Sequence, residues 1–433
     1  MKNYFSILRS SFLILLVSSI YSCGKAKKNT ASEVATIEVS AKDILGNPEY
    51  LAMSYGGYRN ADHSIEPTAE DLKEDMKILS AMGVKLIRTY KLLKPQAANL
   101  VKVISDMKKE DPSFEMYVML GAWVDCKNSF FSGDGEPDHN QENEENPAEI
   151  ARAVALANKY PDIIKIIAVG NEAMVKWAET YYVQPGVILK WVNHLQDLKK
   201  DGKLPEDLWV TSSDNFASWG GGGEEYHVED LNKLIKAVDY ISMHTYPMHD
   251  SHYQPEFWLD PTGLEGKTDM EKIEISMLRS KEYAIKQYED VKAYMESLGV
   301  NKPIHIGETG WASFSSGHYG AEGSRACDEY KEALYYKHMR DWTNEAGLSC
   351  FYFEGFDEPW KGGDNPGDSE KHFGLFTVDG QAKYPLWDMV DRGVFEGLTR
   401  NGNPITKTYG GDKEAMMQDV LVPPTKQEHA MAQ

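Results

Sequence analysis

The stretch "KPIHIGETGW", residues 302–311, is an apolar run that turns polar only at its end, where Glu308 stands between two glycines. A run of this kind is typical of a parallel β-strand that helices cover on both faces. Seven other stretches of the chain have a similar form. The eight predicted strands span residues 50–58, 84–90, 114–123, 163–172, 208–215, 239–247, 302–311 and 348–356.

Amphipathic helical patterns separate these strands. One begins at Pro67 and Thr68 and ends at Gly83, and another runs from Arg325 to Ala346. Eight strand–helix units in succession predict an α/β fold with a single closed (β/α)8 barrel, known as a TIM barrel. The competing architecture is a doubly wound open sheet. The segment after the first strand argues against it, because it has neither the G-x-G-x-x-G nor the P-loop spacing.

The composition narrows the class of partner. The 433 residues are 42% hydrophobic and carry a formal net charge of −21. This charge argues against nucleic acid or an anionic lipid surface as a partner. A neutral substrate fits the charge, and so does a charge that serves only to keep the protein soluble.

The first 22 residues predict an export signal peptide. Lys2 and Arg9 precede an apolar run that is too short to cross a bilayer, and the run leads to "IYSC", residues 20–23. This ending resembles a bacterial lipobox, which implies that Cys23 becomes the acylated first residue of an exported lipoprotein. We expect such a protein to be anchored in the outer membrane, facing the periplasm or the cell surface. The alternative is an ordinary cleaved signal with a chance cysteine.

The polar stretches before and after the strand–helix region predict the remaining domain boundaries. Residues 23–46 predict a polar tether, residues 47–398 the barrel domain, and residues 399–433 a polar tail that is peripheral or mobile. Two long connections, residues 125–147 and 248–271, follow strands and therefore belong at the end of the barrel where sites lie.

The cysteines other than Cys23 give little information. Cys126, Cys327 and Cys350 can form at most one disulfide, and they do not show the spacing of metal ligands. His249 and His252, in the second long connection, have no acid or cysteine to complete a metal site, so a loop surface is the preferred interpretation.

Two glutamates occupy equivalent positions. Glu172 ends "IIAVGNE", residues 166–172, and Glu308 ends "IHIGE". If these strands are the fourth and seventh of a barrel, their ends face each other across its mouth. Two carboxylates that flank one bond are what glycoside hydrolysis requires. Either glutamate alone would be weak evidence, because a carboxylate at a strand end often caps the next helix.

Three motifs carry a family resemblance. "VGNE" (169–172), "IGETGW" (306–311) and "FYFEGFDEPWK" (351–361) resemble the signatures of family 17 glycoside hydrolases, the β-1,3-glucanases and related glucanosyltransferases of a large retaining (β/α)8 clan. The resemblance extends over residues 50–390. It implies that Glu172 is the general acid/base, that Glu308 is the nucleophile, and that neither a metal nor an organic cofactor takes part.

The resemblance also implies supporting residues. Asn171 would hold the sugar 2-hydroxyl, and Tyr246 would hold the nucleophile through its hydroxyl group. Others would orient the nucleophile, the sugar or the catalytic carboxylates: Arg88, Tyr90, Glu358 and Lys361. His244 fits a structural role equally well. One departure concerns Ala312, which replaces the proline of plant members and leaves the shape of the following loop open.

Aromatic residues near the strand ends are candidate sugar platforms, because sugar rings present apolar C–H faces that stack on aromatic rings. Ordinary packing at the barrel rim is the competing explanation. The candidates are Tyr58, Trp123, Trp311, Phe356 and Trp360, whereas Trp258 has no assignment. Polar candidates for sugar subsites are Asp125, Asp214 and Asn215.

Together these features predict a monomeric, retaining endo-β-1,3-glucanase of the laminarinase type, with a β-1,3-glucan polysaccharide or oligosaccharide as its partner. Three alternatives remain at this point. The first is a β-1,3-glucan transglycosylase, and the second is another retaining hydrolase of the clan that acts on β-mannan or galactan. The third, from a different functional class, is a surface glycan-binding lipoprotein with an inactive barrel.

Overall fold

A computed structural model describes residues 39–130 and 135–432. The predicted signal peptide, Cys23 and the tether as far as residue 38 lie outside the described residues. Within the described part, no helix has both the length and the apolar character needed to cross a membrane.

Eight parallel strands close into a barrel, which confirms the predicted (β/α)8 fold. Each strand pairs with the next barrel strand along the chain, and the eighth pairs with the first. We number the barrel strands one to eight in chain order. They are Leu51–Ser54, Val84–Arg88, Tyr117–Ala122, Ile164–Asn171, Trp209–Asn215, Ile241–His244, Ile304–Thr309 and Cys350–Tyr352.

Helices surround the barrel, and the sequence signals predict several of their ends, although the helix predicted to start at Arg325 begins at Glu329. The helix after the first strand begins after Thr68, whose side chain accepts a hydrogen bond from the Asp71 amide in a capping box. The helix before the eighth strand ends at Gly347, which has a φ of 67°. The α-helices are Ala41–Ile44, Ala69–Ala81, Gln96–Glu110, Asn146–Lys159, Pro185–Lys200, Glu229–Ala237, Pro247–Tyr253, Asp269–Ser297, Glu329–Ala346, Trp387–Asp391, Lys413–Gln418 and Lys426–Ala432.

The domain begins earlier than predicted. Ala41 and Ile44 lie in the short first helix and are fully buried. They pack in one cluster with strand residues that include Leu86 and Ile166, and with Tyr240 just before the sixth strand. The helix therefore covers the end of the barrel at which the strands begin. The tether prediction is wrong for residues 39–46, because a four-residue helix is too short for its apolar face to be recognised in the sequence.

The domain also ends later than predicted. Arg400 is fully buried, with its Nε 2.9 Å from Oδ1 of the buried Asp75. Its guanidinium lies 4.1 Å from the ring centre of Phe356. Further along, Met416 and His429 are buried. The prediction of a peripheral or mobile tail is therefore wrong, because the tail packs against the helix after the first strand and against the barrel.

The two long connections contain more structure than predicted. In the first, the short strands Cys126–Lys127 and Asp138–Glu142 pair in antiparallel fashion. The second begins with the helix Pro247–Tyr253, so His249 and His252 lie on a helix rather than on a loop. The cysteines of the described residues are buried free thiols.

Candidate active site

Glu172 and Glu308 meet at the mouth of the barrel. Glu172 follows the fourth strand and Glu308 lies near the end of the seventh. A carboxylate oxygen of Glu172 lies within 4.8 Å of a carboxylate oxygen of Glu308. A separation this small matches the carboxyl pairs of about 5 to 5.5 Å in retaining glycosidases rather than the wider pairs of inverting ones.

Three donors hold the carboxylate of Glu308. Arg88 Nη1 and the hydroxyl of Tyr90 donate to Oε2 at 2.6 and 2.8 Å, and the hydroxyl of Tyr246 donates to Oε1 at 2.6 Å. Burial raises the pKa of Glu308, but the positive charge that His244 carries when protonated at low pH, the charge of Arg88 and the two tyrosine hydroxyls outweigh burial and hold the pKa below its usual value. Glu308 is therefore ionised at neutral pH.

The backbone aims Glu172 into the site. Glu172 has a φ of 46°, a left-handed value that is uncommon for a residue with a side chain, and Gly170 before it has a φ of 79°. The Glu172 amide donates to the Ser213 carbonyl at 3.0 Å. The turn that follows the fourth strand is thus fixed to the fifth strand, with the Glu172 side chain 14% exposed.

The two carboxyl groups have opposite pKa shifts. Burial, and then the negative charge of Glu308, raise the pKa of Glu172 to about 8. Glu172 therefore keeps its proton at neutral pH, whereas Glu308 does not. One group able to give a proton and one able to attack are the two components that retaining glycoside cleavage requires.

His244 connects Glu172 to the barrel interior. Its Nδ1 lies 3.1 Å from Oε1 of Glu172, and its Nε2 lies 2.7 Å from Oγ of Ser213. Burial lowers the pKa of His244 to about 4, so the imidazole is neutral at neutral pH. The positive charge that holds Glu308 ionised at neutral pH therefore comes from Arg88 and not from His244.

Lys361 lies between two buried carboxylates. Its Nζ is 2.9 Å from Oε1 of Glu354 and 3.0 Å from Oε2 of Glu358. Burial raises the pKa of Glu354 well above its usual value. Gly56 allows Glu358 to approach the first loop, because a Cβ there would lie 2.1 Å from Oε1 of Glu358. The sequence predicted Glu358 and Lys361 but missed Glu354, although it lies inside the motif "FYFEGF".

Three of the predicted sugar platforms are wrong because the rings are buried. Trp311 is fully buried, donates from Nε1 to the Ala326 carbonyl at 2.8 Å and packs against Trp258. Phe356 is 2% exposed and stacks on Phe376. Tyr58 is 6% exposed, and its hydroxyl donates to Glu66.

The other two platforms stay predictions. Trp360 is partly exposed, and one face of its ring is stacked on His63 at 3.7 Å. Trp123 is partly exposed, and its Nε1 donates to Asp125 at 3.2 Å.

The polar candidates for sugar subsites divide in the same way. Asp125 and Asp214 are buried and fix neighbouring loops. Asn215 lines the groove next to Glu172. The residue at position 312 also has a structural explanation, because the Ala312 amide lies 3.1 Å from the Met248 sulfur and donates to it. A proline has no N–H for this contact.

A groove of about 1120 Å³ opens beside the carboxylates. It is lined by Glu172 and Glu308 and also by residues that the sequence did not single out or placed elsewhere: Trp177, His249, Phe353, Glu370 and Phe373. His249 Nε2 lies 3.6 Å from Oε1 of Glu370. No local motif marks these residues, because their strand ends and loops meet only when the barrel closes.

A metal would fit the site poorly. Glu172, His244 and Glu308 are close enough to share an ion, with ligand atoms within 4.8 Å of one another. Arg88, however, is 2.6 Å from the same Glu308 carboxylate and would repel a cation. The donor set therefore favours acid–base and nucleophilic chemistry.

Comparison with known proteins agrees with this geometry. The chain is similar to the crystal structure of an endo-laminarinase from Formosa Hel1_33_131, with 63% sequence identity and a TM-score of 0.87. The similarity covers 90% of this chain and 98% of that one.

Sequence relatives include a glucan 1,3-beta-glucosidase of Arthroderma benhamiae, 25% identical over 72% of this chain and 83% of the relative. Another is the glucan 1,3-beta-glucosidase of Schizosaccharomyces pombe, 23% identical over 87% of this chain and 97% of the relative. The model of the BtgE/BtgC glycoside hydrolase domain matches residues 52–374, which contain both glutamates. The chain therefore belongs to the BtgE/BtgC glycoside hydrolase family.

Proposed function

We propose that this protein is a retaining endo-β-1,3-glucanase of the laminarinase type, and the family 17 resemblance of its motifs fits this proposal. The observation that carries it is the carboxyl pair, in which a protonated Glu172 and an ionised Glu308 have oxygens within 4.8 Å. The 63% identity to an endo-laminarinase supports the linkage and the endo mode of cleavage.

In the first step, Oε1 or Oε2 of Glu308 attacks the anomeric carbon while Glu172 gives its proton to the departing glycosidic oxygen. The bond between that carbon and oxygen breaks, and a glycosyl ester forms on Glu308. Arg88 and the two tyrosine hydroxyls orient the attacking carboxylate. The Oδ1 of Asn171 accepts a hydrogen bond from Arg88, which leaves its amide N–H groups to donate to the sugar 2-hydroxyl.

In the second step, Glu172 acts as a base. The negative charge of Glu308 has been consumed in the ester, which lowers the pKa of Glu172. Glu172 takes a proton from water as the water oxygen attacks the anomeric carbon, and Glu308 leaves as a carboxylate. Two inversions at one carbon give net retention of the β configuration.

Product analysis tests the linkage, the mode of cleavage and the acceptor together. We expect the enzyme to release a ladder of short oligosaccharides from laminarin and little from β-mannan, galactan or a β-1,4 glucan. Cleavage of β-mannan or galactan at the same rate would contradict the linkage. Products longer than the starting oligosaccharide would instead identify a β-1,3-glucan transglycosylase, and binding without products would identify a glycan-binding protein.

We further propose that the protein is exported and anchored to the outer membrane through a lipid on Cys23. The lipobox-like ending "IYSC" supports this proposal. Labelling of cells with radioactive palmitate should mark the wild-type protein and not Cys23→Ser. Equal labelling of both proteins, or a soluble wild type after cell fractionation, would contradict the anchor. We also propose that it is a monomer. Size-exclusion chromatography with light scattering measures the oligomeric state.

A further inference from the structure

Trp177 is a large apolar side chain that is 60% exposed. It lies five residues after Glu172 on the same loop and lines the same groove. An exposed tryptophan at the wall of a cleft is a common mark of a binding surface, because its flat ring offers a large contact area for little conformational entropy.

The loop that presents Trp177 is well anchored. Val175 and Ala178, on either side of Trp177, are buried. The Lys176 amide donates to the hydroxyl of Tyr226 at 3.0 Å, and its Nζ donates to the Glu225 carbonyl at 2.8 Å. These contacts hold the backbone on both sides of Trp177, so the ring is presented at the groove before any ligand binds.

Another part of the groove wall has no side chains. Gly221, Gly222 and Gly223 line it, and a Cβ at Gly222 would lie 2.8 Å from Cβ of Ala217. Glycine is therefore needed there for close packing, and this part of the wall adds no side chain that could obstruct the groove. Asn215 and Gln254 also line the groove and supply amide groups for hydroxyls. An aromatic face, open space and neutral amides suit an uncharged sugar.

The position of the groove indicates which part of the substrate it takes. Its lining comes mainly from segments that follow the fourth, fifth and sixth strands, which form the arc of the barrel mouth that runs from Glu172 to Glu308. Arg88 and Tyr90, which hold Glu308 from the second strand, do not line it. The acid must stand next to the departing oxygen, so the leaving part of the glucan extends past Glu172.

We propose that Trp177 is the stacking platform for a glucosyl unit on the leaving-group side of the bond that is cleaved. This inference rests on the proposed function, since it assigns a subsite to the same reaction. It makes Trp177 a residue that determines how the polymer is placed, and not a residue that takes part in bond breaking.

Two substrates separate these roles. Laminarihexaose places sugars on both sides of the cleaved bond, whereas β-laminaribiosyl fluoride has only a fluoride as its leaving group. We expect Trp177→Ala to lower kcat/KM for laminarihexaose at least tenfold and to change kcat/KM for the fluoride less than twofold. Trp177→Phe should restore most of the hexaose activity. Leu278→Ala, which removes an exposed apolar side chain from the long outer helix, is the matched control.

The outcomes are distinct. Unchanged hexaose activity in Trp177→Ala overturns the platform, and an equal loss on both substrates overturns its assignment to the leaving-group side. Reducing-end-labelled hexaose adds a second readout, since loss of a leaving-side platform should shift the preferred cleavage position. A wild-type enzyme that is inactive on both substrates would instead contradict the proposed function.

Discussion

The hydroxyl of Tyr246 donates to Oε1 of Glu308 at 2.6 Å, whereas Arg88 and Tyr90 donate to Oε2. The two carboxylate oxygens of Glu308 are thus held by a residue just after the sixth strand on one side and by residues of the second strand and its end on the other. A carboxylate that accepts hydrogen bonds at both oxygens cannot rotate freely. The donors also stabilise its ionised form, so its pKa is lowered. The pH dependence of kcat/KM should therefore depend on these hydrogen bonds to Glu308.

We expect a bell-shaped pH profile of kcat/KM. Activity should fall as the pH drops through the lowered pKa of Glu308, because a protonated nucleophile cannot attack. It should also fall as the pH rises through about 8, because Glu172 then loses the proton that it must donate. Tyr246→Phe removes one donor to the carboxylate, so the acidic limb should move to higher pH and kcat should fall.

Tyr330→Phe is the control for this prediction. Tyr330 donates its hydroxyl to Glu274 on the surface, so the same chemical change is made away from the site. A Tyr246→Phe profile that coincides with that of the wild type would show that the hydroxyl does not act on Glu308.

Glu308→Gly should abolish turnover, with a loss on the order of 10⁴-fold or more, because no glycosyl ester can form. Sodium azide fits the space left by the carboxylate and attacks the anomeric carbon once. With an activated β-glycosyl fluoride, the product should therefore be an α-glycosyl azide, which NMR identifies. A β-glycosyl azide would exclude Glu308 as the nucleophile.

Glu172→Gly should lower kcat/KM for laminarin about 10² to 10⁴-fold, because the leaving oxygen then departs without a proton. Activity on β-laminaribiosyl fluoride should fall much less in its first step, since fluoride leaves without general acid help. Azide should accelerate breakdown of the glycosyl ester and give a β-glycosyl azide. The same loss on laminarin and fluoride, without an effect of azide, would assign Glu172 a structural role.

Arg400→Ala should lower the free energy of unfolding by about 3 kcal/mol, because it leaves part of the Asp75 charge buried and unpaired and removes the contact with Phe356. Urea unfolding followed by tryptophan fluorescence measures this change. Lys102→Ala, which breaks an exposed pair with Asp106, should give no measurable change. Wild-type stability for Arg400→Ala would mean that the tail contributes little to the fold.

Trp311→Phe tests whether the tryptophan of the "GETGW" motif, residues 307–311, packs in the core and does not bind sugar. The buried indole donates to the Ala326 carbonyl, so its replacement should lower the free energy of unfolding by about 2 kcal/mol. KM for laminarin should stay within about twofold of the wild-type value, because no sugar can reach the ring. A large rise in KM with unchanged stability would restore Trp311 as a sugar platform.

Several parts of the site could be predicted from local sequence. An apolar run that ends in Asn171 and Glu172, and another that ends in Glu308, place these side chains at strand ends, and barrel closure then brings the ends together. Tyr246 is likewise one of the residues that end the predicted sixth strand. Such positions can be predicted because a strand is recognised from the alternation and the length of an apolar run, and both are properties of consecutive residues.

The order of strands, the helix boundaries at Thr68 and Gly347 and the positions of both glutamates were determined by the sequence itself, because each depends on residues a few positions apart. The tertiary structure alone decided that Trp311 is buried while Trp177 is exposed, that Arg400 belongs to the core, and that two chemically identical carboxyl groups titrate on opposite sides of neutrality. Burial and electrostatic fields are sums over contacts between residues that are distant along the chain, such as Arg88 with Glu308 and Asp75 with Arg400. A pattern of neighbouring residues therefore cannot predict the burial or the pKa of these side chains.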